Sequence, residues 1–150
     1  VEVNYQLNDQ LKFYSALGHA KSEFTDYIAI SGRDLSGRSF ADSPEWTATV
    51  GSTYFADNGF FADINLNYAD ESSSVVDPYA RGATEDTPGF DAPNDSRVLV
   101  NMQLGYEWES IGVYLIGRNI LDEEYIAERS YLYVTPGSPR QVSLSIRGNF

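Results

Sequence analysis

Residues 140–150 alternate almost without fault. Val142, Leu144, Ile146 and Phe150 project to one side, and Gln141, Ser143, Ser145, Arg147 and Asn149 to the other. Successive side chains of a strand face opposite sides of its sheet, so this period of two specifies a strand with one apolar and one polar face. Such a strand belongs to a soluble sandwich, where a second sheet covers the apolar face, or to a barrel, where lipid covers it. The rest of the chain has to decide between them.

The same period recurs along the sequence. Strands are predicted over residues 1–7, 11 to about 20, 44–56, 60–68, 97–108, 111–119 and 140–150. The sixth is the least regular, with Tyr114 and Ile116 on what should be its polar side. Helical periodicity is nowhere sustained. Connections alternate between short and long: tight turns are predicted at Asn8-Asp9-Gln10, Asp57-Asn58-Gly59 and Glu109-Ser110, where Asn and Gly tolerate positive φ. Residues 28–43, 70–96 and 121–139 are long, polar and rich in Gly, Pro, Asp and Ser. A meander with its tight turns at one end and its long loops at the other has a polarity, and envelope barrels share it.

Composition narrows the function classes. No apolar run approaches the length of a membrane-spanning helix, which leaves a membrane barrel open because barrel strands are apolar on one face only. The chain has no cysteine, so a disulfide framework and thiolate metal sites are excluded. A single histidine, His19, makes a histidine-based catalytic or metal site an unpromising reading, and no cofactor or metal is expected. The net charge of −12 argues against nucleic acid as a partner. The opening residues already alternate as strand, so the chain reads as a portion of a longer polypeptide.

Two patterns favour the barrel. Glu2, Lys12, Glu45, Asp63, Arg97, Glu107 and Arg147 all fall at polar-face positions of the regular strands. Lipid enforces that segregation, at roughly 2–4 kcal/mol for a basic residue at mid-bilayer. The apolar-face aromatics also collect at strand ends. Tyr5, Tyr54, Phe60, Tyr106, Trp108 and Phe150 lie near the tight turns or the chain end, and Trp46 and Tyr68 near the long loops. Smaller residues such as Ala48, Val50, Ile64, Val100, Leu104 and Leu144 lie between, giving two aromatic girdles around an aliphatic band.

Three motifs carry a family resemblance. The run Gly117-Arg118-Asn119-Ile120-Leu121-Asp122-Glu123-Glu124-Tyr125 resembles the N-L-x-D-x-x-Y signature of TonB-dependent outer-membrane receptors. Pro136-Gly137-Ser138-Pro139-Arg140, followed by a strand ending in Phe150, is similar to their G-x-P-R approach to the final strand. Gly37-Arg38 ahead of Ser43-Pro44-Glu45-Trp46-Thr47 resembles the start of another family strand. In physical terms, Asn119 and Asp122 are short polar groups able to bond neighbouring backbone where a strand leaves the sheet. Pro136, Gly137 and Pro139 suit a turn back into the wall.

The resemblance implies that residues 1–150 are the closing seven strands of an antiparallel, up-and-down transmembrane β-barrel of about 22 strands, an all-β fold in the outer membrane of a Gram-negative bacterium. It implies TonB-energised uptake of a scarce nutrient, most frequently in the family a ferric siderophore. The partners implied are membrane lipid and lipopolysaccharide, a metal-chelate ligand, and the barrel-assembly machinery through Phe150. The resemblance also implies an N-terminal plug inside the barrel and a short segment that engages TonB, neither of which is in this sequence. Ligand contacts are expected on the long loops, with Tyr27, Arg33, Arg38, Tyr79, Arg81, Arg129, Tyr131 and Tyr133 as candidates. Arginine forks suit anionic chelates and tyrosine rings suit planar ones. Asn119, Asp122, Tyr125, Gly137, Pro139, Arg140 and Phe150 are the motif positions. The acidic loop residues Glu85, Asp86, Asp91 and Asp95 lack calcium-loop spacing and are expected to be solvated. A passive porin-type channel and a soluble β-sandwich binding module remain the competing readings, whereas an enzyme is not expected.

Overall fold

A computed structural model describes residues 1–87, 91–130 and 133–148, with Arg81 described by its backbone. Seven strands form one sheet: β1 (Glu2–Gln6), β2 (Leu11–His19), β3 (Trp46–Phe55), β4 (Phe60–Ala69), β5 (Arg97–Glu107), β6 (Ile111–Arg118) and β9 (Gln141–Gly148). Their spatial order is β1-β2-β3-β4-β5-β6-β9, and every neighbouring pair is antiparallel. This is the up-and-down all-β meander that the alternation predicted.

One connection departs from expectation. Residues 121–139, read as an irregular loop, contain a two-stranded ribbon of β7 (Ile126–Arg129) and β8 (Val134–Pro136). The segment Ile126-Ala127-Glu128-Arg129 has no period of two, and its pairing is irregular between Ile126 and Glu128. A strand that short and interrupted leaves no alternation to detect.

The tight turns have local causes. Asn8 Oδ1 accepts the backbone N–H groups of Gln10 (2.9 Å) and Leu11 (2.8 Å), closing the β1–β2 hairpin. In the β3–β4 turn only Gly59 takes positive φ (89°), so Asn58 does not share that role. Glu107 donates its N–H to the Gly59 carbonyl (2.9 Å), and a side chain at Gly59 would run into the Glu107 carbonyl. Two requirements therefore hold one glycine in place.

Register shows how the two faces are built. Tyr5 pairs with Phe13, Val50 with Leu66, Ile64 with Met102, Leu104 with Leu115, and Leu115 with Leu144. A one-residue slip at any boundary would turn a whole strand's apolar set to the other face. Tyr114 and Ile116 do lie on the polar face, opposite Gly105 and Gln103 of β5 and Ser145 and Ser143 of β9. Glycines make room there. The rings of Tyr14, Phe61 and Tyr114 occupy the space that a Cβ would need at Gly51, Gly105 and Gly112. Phe61 also lies 6.1 Å from Phe55 and 5.8 Å from Tyr114, ring centre to ring centre. Aromatic rings laid over strand glycines replace the missing side chains and help pin the register.

No second sheet covers the apolar face. Leu144 is 66% exposed and Ile64 50%, and both belong to the middle of that face. Among the described residues, buried apolar side chains occur in the long connections (Ala29, Leu35) and only at Tyr114 in the main sheet. A sandwich would concentrate its buried apolar side chains between two sheets. Here the sheet is a single wall, and the protein-covered interior lies among the loops.

Candidate functional site

Antiparallel order places residues 20–45, 70–96 and 119–140 at one end of the wall. The third connection is fastened by the motif residues. Asn119 has a left-handed backbone (φ 48°) and is 4% exposed. Its side-chain amide donates to the carbonyls of Glu123 (2.9 Å) and Ser138 (3.0 Å), and its Oδ1 accepts the Glu123 N–H (2.9 Å). Asn reaches left-handed φ at lower cost than most residues, and its amide offers both donors and an acceptor. Asp122 (φ 59°) accepts the Arg140 N–H (2.9 Å) and lies 3.5 Å from the Arg140 guanidinium. The Tyr125 carbonyl accepts the Gly137 N–H (2.7 Å), and the Tyr125 ring fills the space a Cβ would take at Gly137. The Arg97 guanidinium lies 5.2 Å from the centre of the Tyr125 ring. Pro139 stands between the carbonyl held by Asn119 and the N–H held by Asp122. Asn119, Asp122, Tyr125, Gly137 and Arg140 thus join the end of β6 to the start of β9 in one latch.

That latch continues into the polar face of the wall. The Asn119 N–H donates to Asn101 Oδ1 (3.0 Å), and the Asn101 amide donates to Asn65 Oδ1 (3.1 Å). Asn65 Oδ1 also accepts from Asn67 (2.7 Å), whose own Oδ1 accepts the Thr49 hydroxyl (3.0 Å). Further along, the Asp63 carboxylate accepts from Asn65 (3.2 Å), the Tyr14 hydroxyl (3.2 Å) and the Thr53 hydroxyl (2.7 Å). One polar network therefore runs from the tight-turn half of the sheet to the third loop. Hydrogen-bonded chains of this sort hold each member's rotamer and resist substitution of any single link.

The first two loops pack on each other. Residues 23–40 fold back as a ribbon, with the Phe24 N–H donating to the Arg38 carbonyl (3.0 Å) and the Leu35 N–H to Tyr27 (2.8 Å). Phe24 stacks on Tyr27 (4.7 Å between centroids) and meets Phe40 (4.6 Å). The second loop is closed by paired backbone bonds between Ser72 and Asn94. Between the loops, Asp42 donates its N–H to Ser73 (2.8 Å) and accepts the Asn94 amide (2.8 Å). The Ser31 hydroxyl donates to Asp77 (2.8 Å). Arg38 forks onto both carboxylate oxygens of Asp91 and reaches the Val75 carbonyl (3.4 Å). Asp91, expected to be solvated, is therefore half of a loop-to-loop ion pair. Arg33 lies over Tyr79, its guanidinium carbon 3.4 Å from the ring centre.

The structure thus gathers Tyr27, Arg33, Arg38 and Tyr79 at the junction of the first two loops. Arg129 closes β7, and Tyr133 follows close by, its hydroxyl donating to Glu128 (3.0 Å). Tyr131, Phe150 and the side chain of Arg81 lie outside what the structure describes. The sequence offers no sign of the partners that hold these loops together, Asp77, Asp91 and Asn94. The contacts of Asp77 with Ser31, Asp91 with Arg38 and Asn94 with Asp42 span 46 to 53 residues, and no local spacing encodes them. His19 sits at the loop end on the apolar face, 3.0 Å from Glu45 and 4.3 Å from the Trp46 ring centre. Asp34 is held below the usual carboxylate range by the Ser36 hydroxyl and the Ser36 N–H (2.9 Å), and is charged at neutral pH. Among the described residues, no three His, Asp or Glu side chains converge as a metal site.

A single antiparallel wall, apolar and uncovered on one face, polar and networked on the other, with loops packed at one end, is the fold of a stretch of β-barrel wall. Solved structures bear this out. The siderophore receptor PiuA from Acinetobacter baumannii superposes on 97% of the chain with a TM-score of 0.74 and 17% identity, over 20% of its own length. The ferric yersiniabactin uptake receptor FyuA from Yersinia pestis matches 99% of the chain with a TM-score of 0.77 and 11% identity, over 23% of its length. The ferric-catecholate import receptor Fiu from Escherichia coli K12 matches 99% with a TM-score of 0.73 and 18% identity, over 20% of its length. The chain spans about a fifth of these receptors, and at such identities the likeness is one of fold. No family model matches the sequence.

Proposed function

We propose that this chain is the closing part of the barrel wall of an outer-membrane receptor that takes up a ferric siderophore with energy supplied through TonB. The observation that carries the reading is the uncovered apolar face. Its members meet one another across all six strand boundaries of the main sheet, and no Asp, Glu, Lys or Arg stands among them. In water such a face would aggregate, whereas in a bilayer it is the matched surface. The open edges of β1 and β9 need further strands, because unpaired backbone groups are not tolerated in hydrocarbon.

In this reading the polar face lines the lumen, and the packed loops face outward to capture the chelate. Lipid and lipopolysaccharide surround the wall. A plug and a TonB-contacting segment elsewhere in the polypeptide would supply the gate and its drive. The test is growth under iron limitation, with each of several ferric siderophores as sole iron source. Deleting the gene that encodes this chain should abolish growth on one class of siderophore, and deleting TonB should do the same. Undiminished growth without the gene refutes the uptake role; uptake that persists without TonB indicates a passive channel instead.

A further inference from the structure

Charge is unevenly placed along this wall. The three long connections, residues 20–45, 70–96 and 119–140, hold 16 of the 22 acidic residues and 6 of the 10 basic ones. They therefore carry −10 of the net −12. Four of the six basic groups are turned to internal partners. Arg38 clamps Asp91, Arg33 covers Tyr79, Arg140 meets Asp122, and Lys21 lies 3.4 Å from Glu23. A guanidinium already forked on a carboxylate has no fork left for an incoming anion.

The same end presents apolar surface. The first loop exposes Tyr27 and Phe40 at the two ends of the ring stack through Phe24, with Ile28 and Ile30 exposed beside them. Glu23, Asp26 and the ionised Asp34 lie on the same ribbon. Apolar and aromatic groups on an outer loop within a negative field fit an amphipathic ligand that is neutral or positive, and they repel an anionic one.

We infer that the first-loop ribbon is a capture surface for an amphipathic ferric chelate of neutral or positive charge, and that it selects against polyanionic chelates. The inference rests on the uptake reading above and reverses the preference for anions that arginine-rich loops suggest. The loop end's negative field lowers the encounter rate of an anion and raises that of a cation, effects that range over 10–1,000-fold and weaken with salt.

The experiment uses the full receptor in isolated outer membranes. Capture of a ferric tris-hydroxamate, neutral or cationic, is compared with capture of a ferric tris-catecholate, which is trianionic. The hydroxamate chelate should be captured about tenfold faster at low ionic strength, and the gap should close as salt is added. Replacing Tyr27→Ser and Phe40→Ser together should cut hydroxamate capture about tenfold, with receptor abundance unchanged. The triple variant Glu23→Gln, Asp26→Asn, Asp34→Asn should raise catecholate capture severalfold. Preference for the tris-catecholate, or a preference untouched by both sets of substitutions, overturns the inference while leaving the uptake reading intact. Failure to capture either chelate overturns the inference, and the uptake reading falls with it only if growth on every siderophore survives loss of the gene.

Discussion

Replacing Asn119 with alanine removes three side-chain hydrogen bonds from a residue that is 4% exposed. Each such bond contributes about 1 kcal/mol net, and buried partners left unsatisfied raise the cost. Alanine must also hold the left-handed backbone at φ 48°, which costs about 1 kcal/mol more. Together these put Asn119→Ala near ~4 kcal/mol of destabilisation. Glycine loses the same bonds and escapes the backbone strain, so Asn119→Gly should be the milder variant by about 1 kcal/mol. Aspartate keeps the bond from the Glu123 N–H but turns a carboxylate toward two carbonyls at a buried site, so it should be no better than alanine. Urea unfolding of the whole receptor in lipid vesicles, read by tryptophan fluorescence and gel mobility, gives the ranking. An alanine variant within ~1 kcal/mol of wild type would show that the latch is incidental to the wall. A glycine variant worse than alanine would show that the left-handed backbone is not what selects asparagine.

Three further outcomes follow from the faces and contacts. Leu144→Arg should cost about 2–4 kcal/mol in membrane assembly, while Ser145→Arg, one residue along on the polar face, should assemble normally. Gly105→Ala should cost about 1–3 kcal/mol because Phe61 covers it, and adding Phe61→Ala should recover part of that loss in a double-mutant cycle. Arg38→Gln should weaken the coupling of the first two loops by ~1 kcal/mol, seen as roughly fivefold faster amide exchange over residues 23–40 with the main sheet unchanged.

The wall was legible in the sequence because its rule is local. Side chains two apart share a face, so Val142, Leu144 and Ile146 announce their strand without knowledge of what pairs with it. Even the irregular β6 was placed on the correct faces. The reason Tyr114 tolerates the polar side, the room its ring finds over Gly112, became visible only with the structure. The third-loop motif was legible as a pattern, and the structure supplies its chemistry: Asn119 closes a turn across to Ser138, 19 residues on. The β7–β8 ribbon was not legible, because four irregular residues carry no period. Nor was the commitment of the arginines. Arg38 and Asp91 are 53 residues apart, and the residues around them are ordinary loop sequence. Only folding shows which charges have been neutralised.

Contact between hydrocarbon and the apolar face can be measured directly by cysteine labelling, since this stretch carries no cysteine of its own and any elsewhere in the receptor can first be replaced by serine. Single cysteines at Ile64, Val100 and Leu144, each carrying an environment-sensitive fluorophore, would be compared with cysteines at Asn65, Asn101 and Ser145 in the receptor reconstituted in vesicles. Lipids brominated along their acyl chains should quench the first three labels strongly, and water-soluble iodide should quench the second three. Equal quenching of the two sets by either agent, or protection of Ile64, Val100 and Leu144 from brominated lipid, would contradict a lipid-facing wall.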